Sequence, residues 1–216
     1  MTTDSYFMYY DKSVFTEDDV KNLDTMLEKG NVAIALSNGF YLGAFFAGSG
    51  ADFFGPDDQF IRSEGIVLNK DSNLEMVDYL VDLAANPNFT NAEPADAVSM
   101  MQEGNVNALW SGTWSASDIK TVLGDNMGVA PLPSATVNGK EVALRPFASS
   151  KAIGVKSTCA DPDVAMALAA YLSSEKAQKL HFELRGYVPA LKSLMNDAEV
   201  LADPIVSVDS LSLIHI

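Results

Sequence analysis

Between residues 32 and 132, short apolar runs of strand length alternate with segments whose apolar residues recur at helical spacing. That alternation is the strongest constraint on what this chain can fold into. The run VAIAL (32–36) reads as a strand, and the apolar, Gly-flanked SNGFYLGAFFAGSG (37–50) as a buried helix starting near Asn38. A further helix is expected over 72–86, with Leu74, Val77, Leu80, Val81 and Ala84 as its apolar face, and another over 94–103, opened by Pro94 and stopped by Gly104. A strand over 107–111, a helix over 115–123 ended by Gly124 and a strand over 127–132 complete the series. Ahead of them, TEDDVKNLDTMLEKG (16–30) reads as one whole helix: Thr16 caps it with Asp19 three residues on, Val20, Leu23 and Leu27 share a face, and Gly30 ends it. Strands alternating with helices in this way imply an α/β layered domain.

Beyond Pro133 the pattern changes. In ATVNGKEVALRPF (135–147), Asn138-Gly139 stands between two alternating runs, as in a tight hairpin. A strand is expected at AIGV (152–155), then two helices end to end: Asp161 caps the first with Pro162 at its opening position, Ser174 caps the second, and Gly186 closes it. A domain boundary is placed near 145–150. The balance of 14 Lys and Arg against 29 Asp and Glu gives a formal charge of −15, which repels phosphate backbones and anionic lipid, so nucleic acid is not an expected partner. The longest apolar run, VAMALAAYL (164–172), is half of what a bilayer span needs. The single Cys159 forms no internal disulfide framework, and it leaves the compartment open.

Both ends of the chain read as artificial. The last six residues, LSLIHI (211–216), are what CTG TCT CTT ATA CAC ATC encodes, a transposon end used in sequencing libraries. They are therefore expected to be adapter read-through, which removes His215 from consideration. The start carries no basic segment, apolar segment and cleavage site in succession.

With the order of elements in hand, EGNVNALWSGTWSASDIK followed by GVAPLPS, then FASSKAIGVKST, a Pro-started helix and YLSSEKAQKLHFELRGYVPALKS resembles the extracellular solute-binding proteins of the maltose-binding type. These are the receptors of sugar-importing ABC transporters. TTDSYFMYYDKS (2–13) is similar to the segment by which that family crosses from its first lobe into its second. The resemblance implies a periplasmic-binding-protein-like type II fold in which two α/β lobes close over a sugar. Residues 1–8 would be the crossing strand from the first lobe, 9–145 a nearly complete second lobe, and 146–210 a partial return to the first. About a hundred residues would precede Met1 and closing helices would follow Ser210, so residues 146–210 should leave an apolar surface uncovered.

A sugar site needs aromatic faces for C–H groups and fixed polar groups for hydroxyls. Trp114, at a strand-to-helix turn, corresponds to the family's aromatic platform; the alternative is core packing, since tryptophan is usually highly buried. Trp110 reads as core. Phe40 and Tyr41 stand where the family carries an aromatic contact at a helix start, and one of them is expected to face the cleft, with Tyr41 favoured for its hydroxyl; a wholly buried helix is the alternative. Asp4 aligns with an acid that accepts sugar hydroxyls, although a solvated loop acid fits that position too. Thr113 and Ala116 around Trp114 depart from the best-known members, which leaves the sugar preference open.

The resemblance implies no enzyme, cofactor or metal. A glycosidase needs two opposed carboxylates, and no pair among the 29 acids stands in a recognisable frame. His181 lies in KAQKLHFELRG on an expected helix with no nucleophile elbow in the chain, and DSNLE (71–75) lacks the glycine and distal glutamate of a calcium loop. The expected function is a monomeric receptor, extracytoplasmic and periplasmic or lipid-anchored, that carries an oligosaccharide such as a maltodextrin to an ABC permease. The alternatives are a receptor of the same fold for another solute such as a polyol, and then a carbohydrate-active enzyme.

Overall fold

The computed structural model describes residues 2–51, 53 and 71–214, the last four of them by backbone alone. The adapter reading of 211–216 thus falls on residues whose side chains lie outside the described ones. After a short first strand, β1 (Thr2–Asp4), the chain enters β2 (Phe7–Asp11), turns through a 3-10 segment at Asp19–Lys21 into α1 (Leu23–Leu27), and continues to β3 (Val32–Ala33) and α2 (Gly39–Gly48). Next come α3 (Asp71–Ala85), β4 (Phe89–Thr90), α4 (Pro94–Gln102), β5 (Ala108–Ser111), α5 (Ala116–Leu123) and β6 (Met127–Ala130). The strands of this region form one five-stranded sheet in the order β4-β3-β5-β2-β6. β3 runs parallel to β4 and β5, whereas β2 runs antiparallel to β5 and β6.

Strand periodicity builds the layers. Met8 and Tyr10 of β2 and Ala108 and Trp110 of β5 point to one face, where Leu23, Met26, Phe45, Met76 and Leu83 from α1, α2 and α3 cover them. Phe7 and Tyr9, with Leu109, point to the other, against Ala97, Met101 and Ile119 of α4 and α5. Trp110 is buried, as expected, and stacks on Phe45 with ring centroids 5.2 Å apart. The hairpin β7 (Ser134–Val137) and β8 (Lys140–Ala143) closes over the first face, its turn made by Asn138 and Gly139 at φ of 48° and 72°.

Several local expectations are corrected. The helix expected over 16–30 begins with the foreseen reciprocal cap, Thr16 N–H to Asp19 Oδ2 at 2.9 Å and Asp19 N–H to Thr16 Oγ1 at 3.3 Å. It then breaks at Asn22, whose backbone bridges Ser134 and whose side chain accepts from the N–H groups of Asp24 and Thr25. Docking of the hairpin there outcompetes helix continuity. In α3 the inward stripe is Asn73, Met76 and Leu83, while Leu74, Val77 and Val81 are exposed. Both stripes are largely apolar in sequence, and the hydrogen bond from Ser49 Oγ to Asn73 Oδ1 at 2.6 Å draws a polar residue to the inner side. The strand expected over 32–36 covers two residues, because the backbone turns at Ile34–Asn38 to let Asn38 cap α2.

The strand expected over 152–155 instead lies earlier, as β9 (Ser149–Lys151), where it pairs with β1: Thr2 faces Lys151 and Asp4 faces Ser149. The remaining helices are α6 (Pro162–Leu172), α7 (Glu175–Arg185), α8 (Lys192–Met195), α9 (Ala198–Leu201) and α10 (Pro204–Ile214). Asp161 and Ser174 cap α6 and α7 through Val164 N–H and Ala177 N–H, and Gly186 ends α7 in the left-handed region. α6 buries none of its side chains and exposes Val164, Met166, Leu168 and Tyr171. Among the described residues no helix is long and apolar enough to cross a membrane.

Where β1 passes into β2, Asp209 of α10 is fully buried and accepts the Ser5 N–H at 3.0 Å through Oδ1. Burial pushes its carboxyl up to about 7, the Ser5 N–H opposing this and the Asp4 charge adding to it. A folded-state value above the unfolded one means that the folded protein binds this proton more tightly. The contribution to stability is then fully present below about pH 4 and is lost as pH rises to about 7. Asp209→Asn is expected to gain on the order of 2–4 kcal/mol relative to wild type between pH 4.5 and 8, read from urea unfolding. Parallel pH profiles for the two proteins would refute it.

Candidate ligand-binding site

β5 ends at Ser111, and Gly112 continues as extended backbone into a 3-10 turn over Thr113–Ser115, from which α5 starts. Trp114 sits in that turn and is 44% exposed, so the core position in this stretch belongs to Trp110 alone. The Trp114 ring lies across Gly112. A Cβ there would collide with the ring and come within 2.6 Å of the Ser5 carbonyl oxygen. A residue without a side chain is therefore what lets the tryptophan lie along the strand end.

The facing wall is the start of α2. Asn38 accepts the Phe40 N–H at 3.0 Å as the helix cap and donates through Nδ2 to Glu93 at 3.3 Å, tying α2 to the entry of α4. Phe40 is half-buried, with its ring centroid 4.7 Å from that of Tyr6, whose hydroxyl donates to the Phe40 carbonyl at 2.8 Å. Tyr41 is buried at 4% exposure, and its ring meets the same Tyr6 edge-on at 4.9 Å. Burial pushes the Tyr41 hydroxyl up to about 12, the Ser111 side chain opposing and the Glu93 charge adding. Of the two aromatics, Phe40 is the more accessible, although both line the groove described next.

Between these walls lies a groove of about 720 Å³ that Phe40, Tyr41 and Trp114 line together. Its polar side chains include Asn38, Glu93, Gln102 and Asp118. Sequence reasoning did not single these out as groove residues. Asp118 stands one helical turn after Trp114, and Glu93 directly before the Pro94 that opens α4. Only the pairing of β3 and β5 brings the two helix starts side by side. Aromatic faces beside hydrogen-bonding side chains suit a polyhydroxylated ligand, whose C–H faces stack while its hydroxyls pair.

Asp4 does not line this groove. It is buried on β1, its Oδ2 3.3 Å from Lys151 Nζ and its Oδ1 without a hydrogen-bond partner among the described residues. His181 is exposed on α7, and Asp71–Glu75, considered as a metal loop, is the first part of α3.

A family model described as bacterial extracellular solute-binding protein matches residues 1–208. The chain belongs to that family. Among curated relatives, the maltotriose-binding protein of Pyrococcus abyssi is 26% identical over 211 residues, 92% of this chain and 45% of the relative. The galactooligosaccharide-binding protein of Bacillus subtilis is 33% identical over 103 residues, 48% of this chain and 24% of the relative. A solved structure described as "with acarbose" superposes with a TM-score of 0.93 at 43% identity, over 98% of this chain and 56% of that one. The maltodextrin-binding protein of L. casei BL23, solved without ligand, gives 0.83 at 23% identity over 98% and 56%, a likeness of fold. The expected solute-binding fold is therefore present, and the chain spans about half the length of the relatives matched along most of it.

Within this family member, Gly112→Ala is expected to drive the Trp114 ring off the strand end. The change should raise acrylamide quenching of tryptophan fluorescence and cost about 1–3 kcal/mol of stability in urea. Unchanged quenching would show that the ring is placed by something other than Gly112.

Proposed function

We propose that this chain carries one wall of the sugar cleft of an ABC-importer receptor, and that an oligosaccharide of the maltodextrin class stacks on Trp114 and Phe40 in the groove. The observation that carries the reading is a tryptophan left 44% exposed opposite a second aromatic, with polar side chains around both. The ligands in the relatives' descriptions, maltotriose, galactooligosaccharide and acarbose, are all carbohydrates or carbohydrate-like, which supports the class. Glu93, Gln102 and Asp118 would take hydroxyls along the groove, and Tyr41 would brace Phe40 from behind.

Asp4, outside the groove, would join the site only through a ligand group that reaches the crossing strand. A buried carboxylate oxygen without a donor is costly, and a sugar hydroxyl reaching the crossing strand would supply one. Residues 1–8 and 146–210 would then form the hinge side of the cleft, and residues 9–145 the lobe that carries the groove. Ligand contacts on both lobes would favour a closed form, which the permease recognises. Such a receptor works as a monomer on the outer side of the cytoplasmic membrane, free or lipid-anchored, and forms or breaks no covalent bond.

Trp114→Ala in the full-length gene product is expected to weaken maltotriose binding by roughly 1–3 kcal/mol in calorimetry, with the thermal midpoint close to wild type. Wild-type affinity in this variant would remove the groove from the site. Absence of oligosaccharide binding by the wild type would remove the carbohydrate reading altogether.

A further inference from the structure

Ser111 closes β5 with no exposed surface and lies outside the groove lining, so it cannot touch a ligand there. Its hydroxyl nevertheless sits under the wall that carries Trp114. Ser111 Oγ is 2.7 Å from Oγ of Ser115, the last residue of the turn that carries Trp114, and Ser115 is itself buried.

The turn is also anchored at its other end. The Ser115 N–H donates to the Gly112 carbonyl at 3.2 Å, and that carbonyl accepts the hydroxyl of the buried Tyr9 at 3.0 Å. With nearly half of its surface in solvent, the Trp114 ring depends for its direction on the backbone of residues 113–115. A hydroxyl pair in the dry interior constrains that backbone by direction as well as by contact, which an apolar residue of the same size would not do. Stacking needs two rings at a set spacing and tilt, and a ring free to swing must be ordered by the ligand at the expense of affinity.

We propose that Ser111 is a positioning residue for ligand binding: through its pair with Ser115 it fixes the turn that carries Trp114, and so the angle at which the Trp114 ring faces the groove. The proposal rests on the reading of the groove as an oligosaccharide site.

The test is a calorimetric titration of maltotriose into full-length wild type, Ser111→Ala, Trp114→Ala and the double variant. Ser111→Ala should weaken binding about 3- to 10-fold, the range of one lost internal hydrogen bond. In the Trp114→Ala background the same change should have an effect below about 2-fold, because the ring through which it acts is gone. Ser115→Ala should reproduce the Ser111→Ala loss, and the two together should be no weaker than the stronger single change; this pair of measurements also decides the matter if Ser111→Ala does not fold. Unchanged affinity in Ser111→Ala, or an equal loss with and without Trp114, overturns the positioning role. If Trp114→Ala binds as wild type does, the groove reading itself falls. If Trp114→Ala is weakened and Ser111→Ala and Ser115→Ala are not, only the positioning role is lost.

Discussion

Because β2 and β5 pair antiparallel in the middle of the sheet, with Met8 opposite Trp110 and Tyr9 opposite Leu109, each strand sends alternate side chains to opposite faces in matching register. A slip of one residue would carry Trp110 and Met8 away from Phe45 and Met76, and would bring Tyr9 and Leu109 into the wrong layer. Everything functional hangs from this pairing. Ser111 is the last paired residue of β5, so the register determines where Gly112 and the Trp114 turn leave the sheet. Tyr6, one residue before β2, is placed by the same register under both Phe40 and Tyr41.

Burial is distributed unevenly along the chain. The sheet with α1 to α5 has two closed hydrophobic layers, while α6 and α7 expose Val164, Met166, Leu168, Tyr171 and Leu184. The link between the two regions is polar. Asp4 faces Lys151, Ser5 Oγ donates to the Phe147 carbonyl at 3.2 Å, and Asp209 holds the Ser5 N–H. Directional contacts of this kind fix how the first strand meets residues 147–151 and α10 without a large apolar interface.

At the groove, rigidity and exposure are combined by dividing tasks among neighbouring residues. Trp110 spends its area on the core and Trp114 keeps its face open; Tyr41 is buried against Tyr6 and Phe40, and Phe40 is the more exposed of the pair. Gly112 contributes by having no side chain at the one point where the ring and the Ser5 backbone come together.

The elements legible in the sequence are those whose causes are local. Asn38, Asp161 and Ser174 cap their helices from two or three residues away, Gly186 ends one in a conformation that suits glycine, and Asn138-Gly139 makes its turn without help from the rest of the chain. The aromatic lining of the groove was legible too, since a tryptophan at the exit of a strand is a local feature. What only the tertiary structure decided involves partners far apart in sequence. Ser134 breaks a helix at Asn22, and Ser49 turns Asn73 inward on α3 against a competing apolar stripe. Thr2–Asp4 selects Ser149–Lys151 over the more strand-like residues that follow, and Glu93 and Asp118 reach the Trp114 groove through the order of strands in the sheet. Local signals state which backbone conformation a segment prefers; the face it buries and the neighbours it meets depend on long-range contacts, which a single chain of residue preferences does not contain.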